Sequence, residues 1–170
     1  CIADVKAAAQ TVRQIRSNLA PRLLDSGLAR PLGDLAARFQ TRTGISIDLD
    51  LAEDLDQAVS SDARHALYRV IQQALDNVEQ HARARNVRVQ VCPADNRVEF
   101  AVVDDGRGFD QAAITASPEA DHFGLRSMAA RLNALGGEFS VVSAPGRGTQ
   151  VTGWLPRSSR SSLMSFPPFN

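Results

Sequence analysis

The sequence predicts an α+β fold: one mixed sheet with helices laid on one face. Five short runs read as strands because apolar and polar residues alternate, the clearest being Ile45, Ile47, Leu49 and Leu51 interleaved with Ser46, Asp48 and Asp50. Other stretches repeat apolar residues every three or four positions, the helical period. The two kinds do not alternate strictly, which argues against a doubly wound parallel sheet. At 170 residues and 44% hydrophobic content the chain amounts to one ordinary domain with a small appendage, and 5% aromatics make the core aliphatic.

Val5, Ala8, Val12, Ile15 and Leu19 form a heptad seam, as on a helix of a coiled coil or bundle. Pro21 and the Asp25-Ser26-Gly27 cluster break it, and Pro31 suits the first turn of a second helix over 32–43, closed by Gly44. After the strand at 45–51, Ser61 or Asp62 can cap the longest helix, running to about Ala84. Its apolar face is Leu67, Val70, Ile71, Ala74, Leu75, Val78 and Ala82. Val87, Val89 and Val91 begin a hairpin that turns at Asp95-Asn96 and returns over Val98 to Val103. A loop of about fifteen residues follows from Gly106 to His122, a length usual for lids and binding segments. A helix from Gly124 to Leu135 ends at Gly136-Gly137. Strands Glu138 to Ser143 and Thr149 to Leu155 flank the turn Pro145-Gly146-Arg147-Gly148. The Ser- and Pro-rich tail beyond Pro156 reads as disordered or foreign.

Charge balances at 19 basic against 19 acidic residues, so bulk charge gives no footprint for direct nucleic-acid binding. Cys1 and Cys92 have neither metal-ligand spacing nor a disulfide framework, and a reducing, cytoplasmic compartment fits them. No apolar stretch reaches the ~18 residues of a membrane span. The chain starts without Met inside a helical pattern, and so reads as a piece of something longer, whose remainder could anchor it to a membrane.

Four places carry chemistry. Gln73, Asn77 and His81 are four apart and stack along one line beside the apolar face. A carboxamide oxygen is a hard ligand suited to Mg²⁺, although an Asn bonded to a neighbouring loop is the simpler reading of Asn77 alone. Asp104-Asp105-Gly106-Arg107-Gly108-Phe109 follows a strand directly. A carboxylate held there can accept from an exocyclic amine such as adenine N6, while the glycines let backbone turn sharply and approach a ligand; taken alone it is an ordinary turn. Gly124-Leu125 opens a helix, whose free N–H groups suit phosphate. Gly148-Thr149 offers a hydroxyl and amides, or simply a hairpin turn.

In this order and spacing the four resemble the boxes of the Bergerat-fold ATPases, the superfamily of DNA gyrase, a class of heat-shock chaperones, MutL and the histidine kinases. Gln73-Ala74-Leu75-Asp76-Asn77 is similar to the N box, Asp104-Asp105-Gly106-Arg107-Gly108 to the first glycine box, and Gly148-Thr149 to the last. More narrowly, "LYRVIQQALDNVEQHARA", "VVDDGRGFD", "HFGLRSMAARLNALGGEFSVVSAPGRGTQV" and the closing "LP" resemble sensor histidine kinases of the nitrate- and lipid-fluidity-sensing type.

The resemblance implies a two-layer α/β sandwich of the Bergerat type. It would span 32–156, after the C-terminal part of a dimerisation helix (1–20) and a linker (21–31), and before the tail (157–170). It implies ATP and Mg²⁺ as cofactors, with Asn77 on the metal and Asp104 on the adenine amine. Gly106 and Gly108 would shape the pocket floor, and Gly124 and Leu125 would lie near the phosphates. Gly148 and Thr149 would sit beside the nucleotide, and His81, Phe109 and Phe123 would complete the binding set. The lid would run from about Phe109 to Phe123.

The implied partners are the dimerisation and phosphoacceptor helices of its own or a partner subunit, in a homodimer, and a response regulator. Two departures stand out. Position 73 is usually Glu, and Gln73 cannot accept a proton, so hydrolysis should suffer while nucleotide binding need not. The phosphoacceptor histidine of this family lies upstream of Cys1, and His65, His81 and His122 are poorly placed to replace it. The rival reading is a degenerate, nucleotide-dependent switch without kinase activity.

Overall fold

The computed structural model describes residues 24–110 and 123–157. The heptad helix of 1–20, most of the expected lid (111–122) and the tail from 158 lie outside the described residues. The elements in chain order are α1 (Ala29–Thr43), β1 (Ser46–Leu51), a short α2 (Leu55–Ala58) and α3 (Ser61–Asn77), which continues as a π-helical turn over Val78–Ala82. Then come β2 (Asn86–Ala94), β3 (Arg97–Asp104), α4 (Phe123–Asn133), β4 (Glu138–Ser143) and β5 (Thr149–Pro156). Among the described residues no helix is long and apolar enough to cross a membrane.

Strand order is β1-β2-β3-β5-β4, with β1 parallel to β2 and every other pair antiparallel. The period-two pattern sorts the faces. Val87, Val89 and Val91 of β2, Val98, Phe100 and Val102 of β3, and Val151 and Leu155 of β5 are all buried against the helices. The opposite face is polar: Arg88 pairs with Asp48 at 2.9 Å, Gln90 donates to Asp50 at 3.0 Å, and Trp154 Nε1 donates to Glu138 at 3.2 Å. Cys92 lies on this exposed side. The expected mixed sheet with helices on one face is what the chain forms.

α3 is the central helix, because its buried stripe from Ala63 to Leu75 covers β3 while α1 and α4 pack on either side. The helix ends differ from the expected ones for physical reasons. Ser60, one residue earlier than expected, caps α3 by accepting from the Ala63 amide at 3.3 Å. α1 begins at Ala29 rather than 32 because its first amides find an acceptor far along the chain: Asp56 Oδ1 takes hydrogen bonds from Leu28 N and, at 3.0 Å, from Ala29 N. Arg64 ties down the same corner by donating to the carbonyls of Leu24, Asp25 and Asp56. The preceding Leu24 and Leu28 are buried in the domain core. At the other end of α1, Gly44 takes the left-handed conformation and its N–H reaches Gln40 O, the expected cap.

A second corner joins the start of β2 to the end of β3. Asp105 accepts from Arg85 N, Asn86 N and Asn86 Nδ2 at 2.8–2.9 Å. The hydrogen bonds from Asn86, then that from Arg85, hold its carboxyl below the ordinary 3.8.

Two outcomes follow from these corners. Replacing Asp56 with Ala removes a shared acceptor of the cap type and should cost about 0.5–2 kcal/mol in chemical denaturation; no loss would mean that water serves the Leu28 and Ala29 amides as well. Asp105 has a folded pKa below its unfolded value, so its contribution is complete above 3.8 and is lost as pH falls through the lower folded value. Asp105→Asn should therefore lower stability at about pH 7 and converge with the parent chain in the acid range. Equal differences at neutral and strongly acid pH would exclude this role.

Candidate functional site

The cleft opens where α3 stops being a regular helix. Beyond Asn77 the helix widens into its π turn and ends at Arg83, which adopts the left-handed conformation (φ 53°). A helix end leaves carbonyls without partners. Here the turn after β3 supplies the donors: Arg107 N reaches Ala82 O at 2.7 Å, and Arg107 Nε reaches His81 O at 2.6 Å. Through one arginine the glycine-rich turn is fastened to the helix that carries Gln73, Asn77 and His81.

Asp104 ends β3 on the inner face, only 7% exposed. Its Oδ1 accepts from Gly106 N at 2.8 Å, and the Thr149 amide donates to it as well. Burial nonetheless dominates and pushes its carboxyl above the ordinary range, partly offset by these bonds and reinforced by the neighbouring Asp105 charge. Any further donor that reached this carboxyl in the cleft would offset part of the cost of its burial.

The expected glycines serve the turn in a more specific way than anticipated. A Cβ on Gly148 (φ +68°) would stand 1.9 Å from Asp104 O, and one on Gly108 (φ +58°) 2.0 Å from Ala144 O. One on Gly106 would fall 2.4 Å from Ala82 O. Their bare backbones thus allow three chain segments to meet, and the close approach is of backbone to backbone. Ser143, absent from the sequence expectations, locks the junction: its Oγ accepts from Phe109 N at 3.0 Å, donates to Gly148 O at 2.8 Å and lies 3.1 Å from Thr149 Oγ1. A buried Ser at a strand end was its only trace in the sequence, as was a lone Arg between glycines for Arg107.

These elements enclose a cavity of about 90 Å³ lined by Asn77, His81, Asp104, Gly108, Phe109, Leu125 and Thr149, with Ala74, Val78, Ala82, Val102, Arg107 and Val151. Gly106 and Gly148 back onto one of its lining residues: a Cβ on Gly106 would lie 2.7 Å from Asp104 Oδ1 and one on Gly148 1.9 Å from Asp104 O. Gly124, at the start of α4, comes against the other end: its Cβ position is 3.5 Å from both Asn77 Oδ1 and Gln73 Nε2. Phe123 opens the same helix. The sequence-predicted residues whose side chains are described therefore converge, from four separate elements. A larger cavity of about 590 Å³ lies on the far side of the sheet around Trp154, Cys92 and Glu99, away from all of them.

Gln73 Nε2 donates to Asn77 Oδ1 at 3.3 Å. The bond holds the Asn77 oxygen toward Gln73 and uses one of its two lone pairs. Among the described residues no cluster of three or more His, Cys, Asp or Glu could hold a metal by itself. One amide oxygen suits Mg²⁺, which keeps waters and takes most of its ligands from a substrate's phosphates. The donor set thus fits a magnesium–nucleotide complex and not a metal caged by protein.

Comparison with known proteins agrees with the geometry. The family described as "Histidine kinase-, DNA gyrase B-, and HSP90-like ATPase" matches residues 62–159. The sensor histidine kinase MctS of Rhizobium johnstonii is 34% identical over 153 residues, covering 89% of this chain and 32% of that protein. The sensor histidine kinase LiaS of Bacillus subtilis is 32% identical over 150 residues, covering 88% and 40%. The chain therefore spans well under half the length of either relative. Among solved structures, the histidine kinase domain of the blue-light-activated kinase of Erythrobacter litoralis superposes with a TM-score of 0.64 at 23% identity, over 76% of this chain and 61% of that one. The histidine kinase AdeS of Acinetobacter baumannii gives 0.63 at 14% identity, over 93% and 82%; both likenesses speak to the fold. With its boxes gathered in one cleft and the family match running across all of them, the chain belongs to the histidine kinase-, DNA gyrase B- and HSP90-like ATPases.

Proposed function

We propose that the chain binds Mg²⁺-ATP in this cleft and serves as the catalytic domain of a sensor histidine kinase. It would deliver the γ-phosphoryl to a histidine on a dimerisation helix of its own or a partner subunit. An aspartate of a response regulator would then receive it, within a cytoplasmic, homodimeric assembly. The observation that carries this reading is the placement of the buried Asp104 carboxylate across one small cleft from Asn77, with Thr149 and the start of α4 on its walls.

Each group has a task its chemistry allows. Asp104 accepts from the adenine amine, and its burial makes that bond selective. Asn77 offers the oxygen for the metal, and Mg²⁺ when bound neutralises charge on the phosphates. The first turn of α4 points free N–H groups and the positive end of its dipole toward the phosphate end. Phosphoryl transfer depends largely on such positioning and charge neutralisation. Gln73 favours one further reading, a nucleotide-gated switch that binds ATP without using it, because an amide bonded to Asn77 cannot take a proton from water.

Calorimetric titration with ATP and GTP tests the adenine site. ATP should bind with clear preference, since guanine presents a carbonyl to Asp104, and Asp104→Asn should erase that preference. Equal affinities in the parent chain would remove the basis of the nucleotide reading.

Phosphate release tests position 73. The parent chain should hydrolyse ATP barely above background, and Gln73→Glu should raise the rate toward the about 10²–10⁴-fold that general-base assistance contributes, with little change in affinity. Histidine phosphate should appear only in a longer chain that carries the upstream helix. Brisk hydrolysis by the parent chain would overturn the role given to Gln73. ATP binding without histidine phosphate in the longer chain would leave the switch.

A further inference from the structure

The cavity of about 590 Å³ on the outer face of the sheet takes no part in the nucleotide cleft. Strand register explains its shape. Cys92, Glu99, Trp154 and Glu138 stand in one row across β2, β3, β5 and β4. The next row on that face is Gln90, Ala101, Thr152 and Ser140, with Asp50 of β1 beside Gln90. Neighbours within a row lie about 5 Å apart, and the rows about 7 Å apart along the strands. The small Ala101 and Thr152 in one row meet the long Glu99 and Trp154 in the other, which leaves a hollow with an indole wall. Its volume is that of a small-molecule site.

The lining is acidic, with Asp50, Glu99 and Glu138 against the single Arg97. Asp50 accepts from the Gln90 amide at 3.0 Å and Glu138 from the Trp154 indole at 3.2 Å, both neutral donors. Among the described residues neither of these two carboxylates has an ion-pair partner. Burial, and then the charges of Glu99 and Asp50, push the Cys92 thiol above its ordinary range, in keeping with a field of one sign across the hollow. The chain's own Arg97 shows what such a place holds. Its guanidinium sits 5.9 Å from the centre of the Trp154 ring and pairs with Glu99 at 2.5 Å.

We propose that this hollow is a second ligand site, for a small organic cation that carries an ammonium, amidinium or guanidinium group on a flat apolar body. The positive group takes the space between Glu99 and Glu138, the two carboxylates that flank Trp154 in its row. The body lies over Ala101 and Thr152. The site is on the opposite face of the sheet from the nucleotide cleft and does not depend on that reading.

Trp154 is the only tryptophan of the chain, so the single indole N–H signal in an NMR spectrum reports on this site. Benzamidine, a flat amidinium, should shift that signal saturably. Benzamide, its neutral counterpart of the same shape, should bind about tenfold more weakly, the worth of one charge-assisted hydrogen bond. Glu138→Gln keeps an acceptor for the indole but removes the charge, and should weaken benzamidine about three- to fivefold. Arg97→Ala removes the cation that competes for the ring and for Glu99, and should tighten benzamidine by about the same factor. No saturable shift, equal affinity for benzamide, an unaltered Glu138→Gln variant or a weaker Arg97→Ala variant would each overturn the site. An arginine-rich peptide that shifts the signal where benzamidine does not would make this face a protein-docking surface, and overturn it as well.

Discussion

The site depends on one junction, the turn after β3, which must satisfy three neighbours at once. Its Asp104 carboxylate accepts from the turn's own Gly106 amide, its Arg107 closes the open carbonyls at the end of α3, and its Gly108 and the facing Gly148 admit backbone where no side chain would fit. None of these contacts is strong alone. A buried carboxylate or carbonyl left unpartnered, however, costs on the order of 1–3 kcal/mol, so the arrangement is tightly determined. The same constraint brings Asp104 and Asn77 to one cleft, so the proposed nucleotide site follows from satisfying a helix end.

The π turn at Val78–Ala82 belongs to this logic. An extra residue in the turn shifts the carbonyls of His81 and Ala82 toward Arg107 while Asn77 stays in register with Gln73. Such turns are uncommon and gather at functional sites, where the distorted ladder frees groups for other partners. The stripe Arg69, Gln73, Asn77 and His81 thus starts on a regular helix and ends on a distorted one. Gln73 links the two by donating to Asn77, a bond that a glutamate could not make in that direction.

The two faces of the sheet divide the labour. The inner face is aliphatic and continuous with the helices, and supplies the rigidity that holds the cleft walls. The outer face carries exposed ion pairs, Arg88–Asp48 between β2 and β1 and Arg97–Glu99 within β3, with Arg97 also over the Trp154 ring. Exposed pairs of this kind add little stability, but they keep a broad sheet surface wetted.

Strand faces, the buried stripe of α3, the Gly44 cap and the polar line of Gln73, Asn77 and His81 were legible in the sequence, because periodicities of two and 3.6 are local and repeat along the chain. The glycine-rich turns were legible too, since only a few residue types tolerate their backbone. Local pattern could not fix that β5 inserts between β3 and β4, for an alternating strand shows which side it buries and not which neighbour it pairs with. Nor could it give the start of α1, whose cap is Asp56 some 28 residues away, or the tasks of Ser143 and Arg107, whose partners lie on other elements. The sequence by itself determined which residues could do the chemistry. The tertiary structure alone decided which of them meet, because desolvation and hydrogen-bond satisfaction act between segments that the chain keeps far apart.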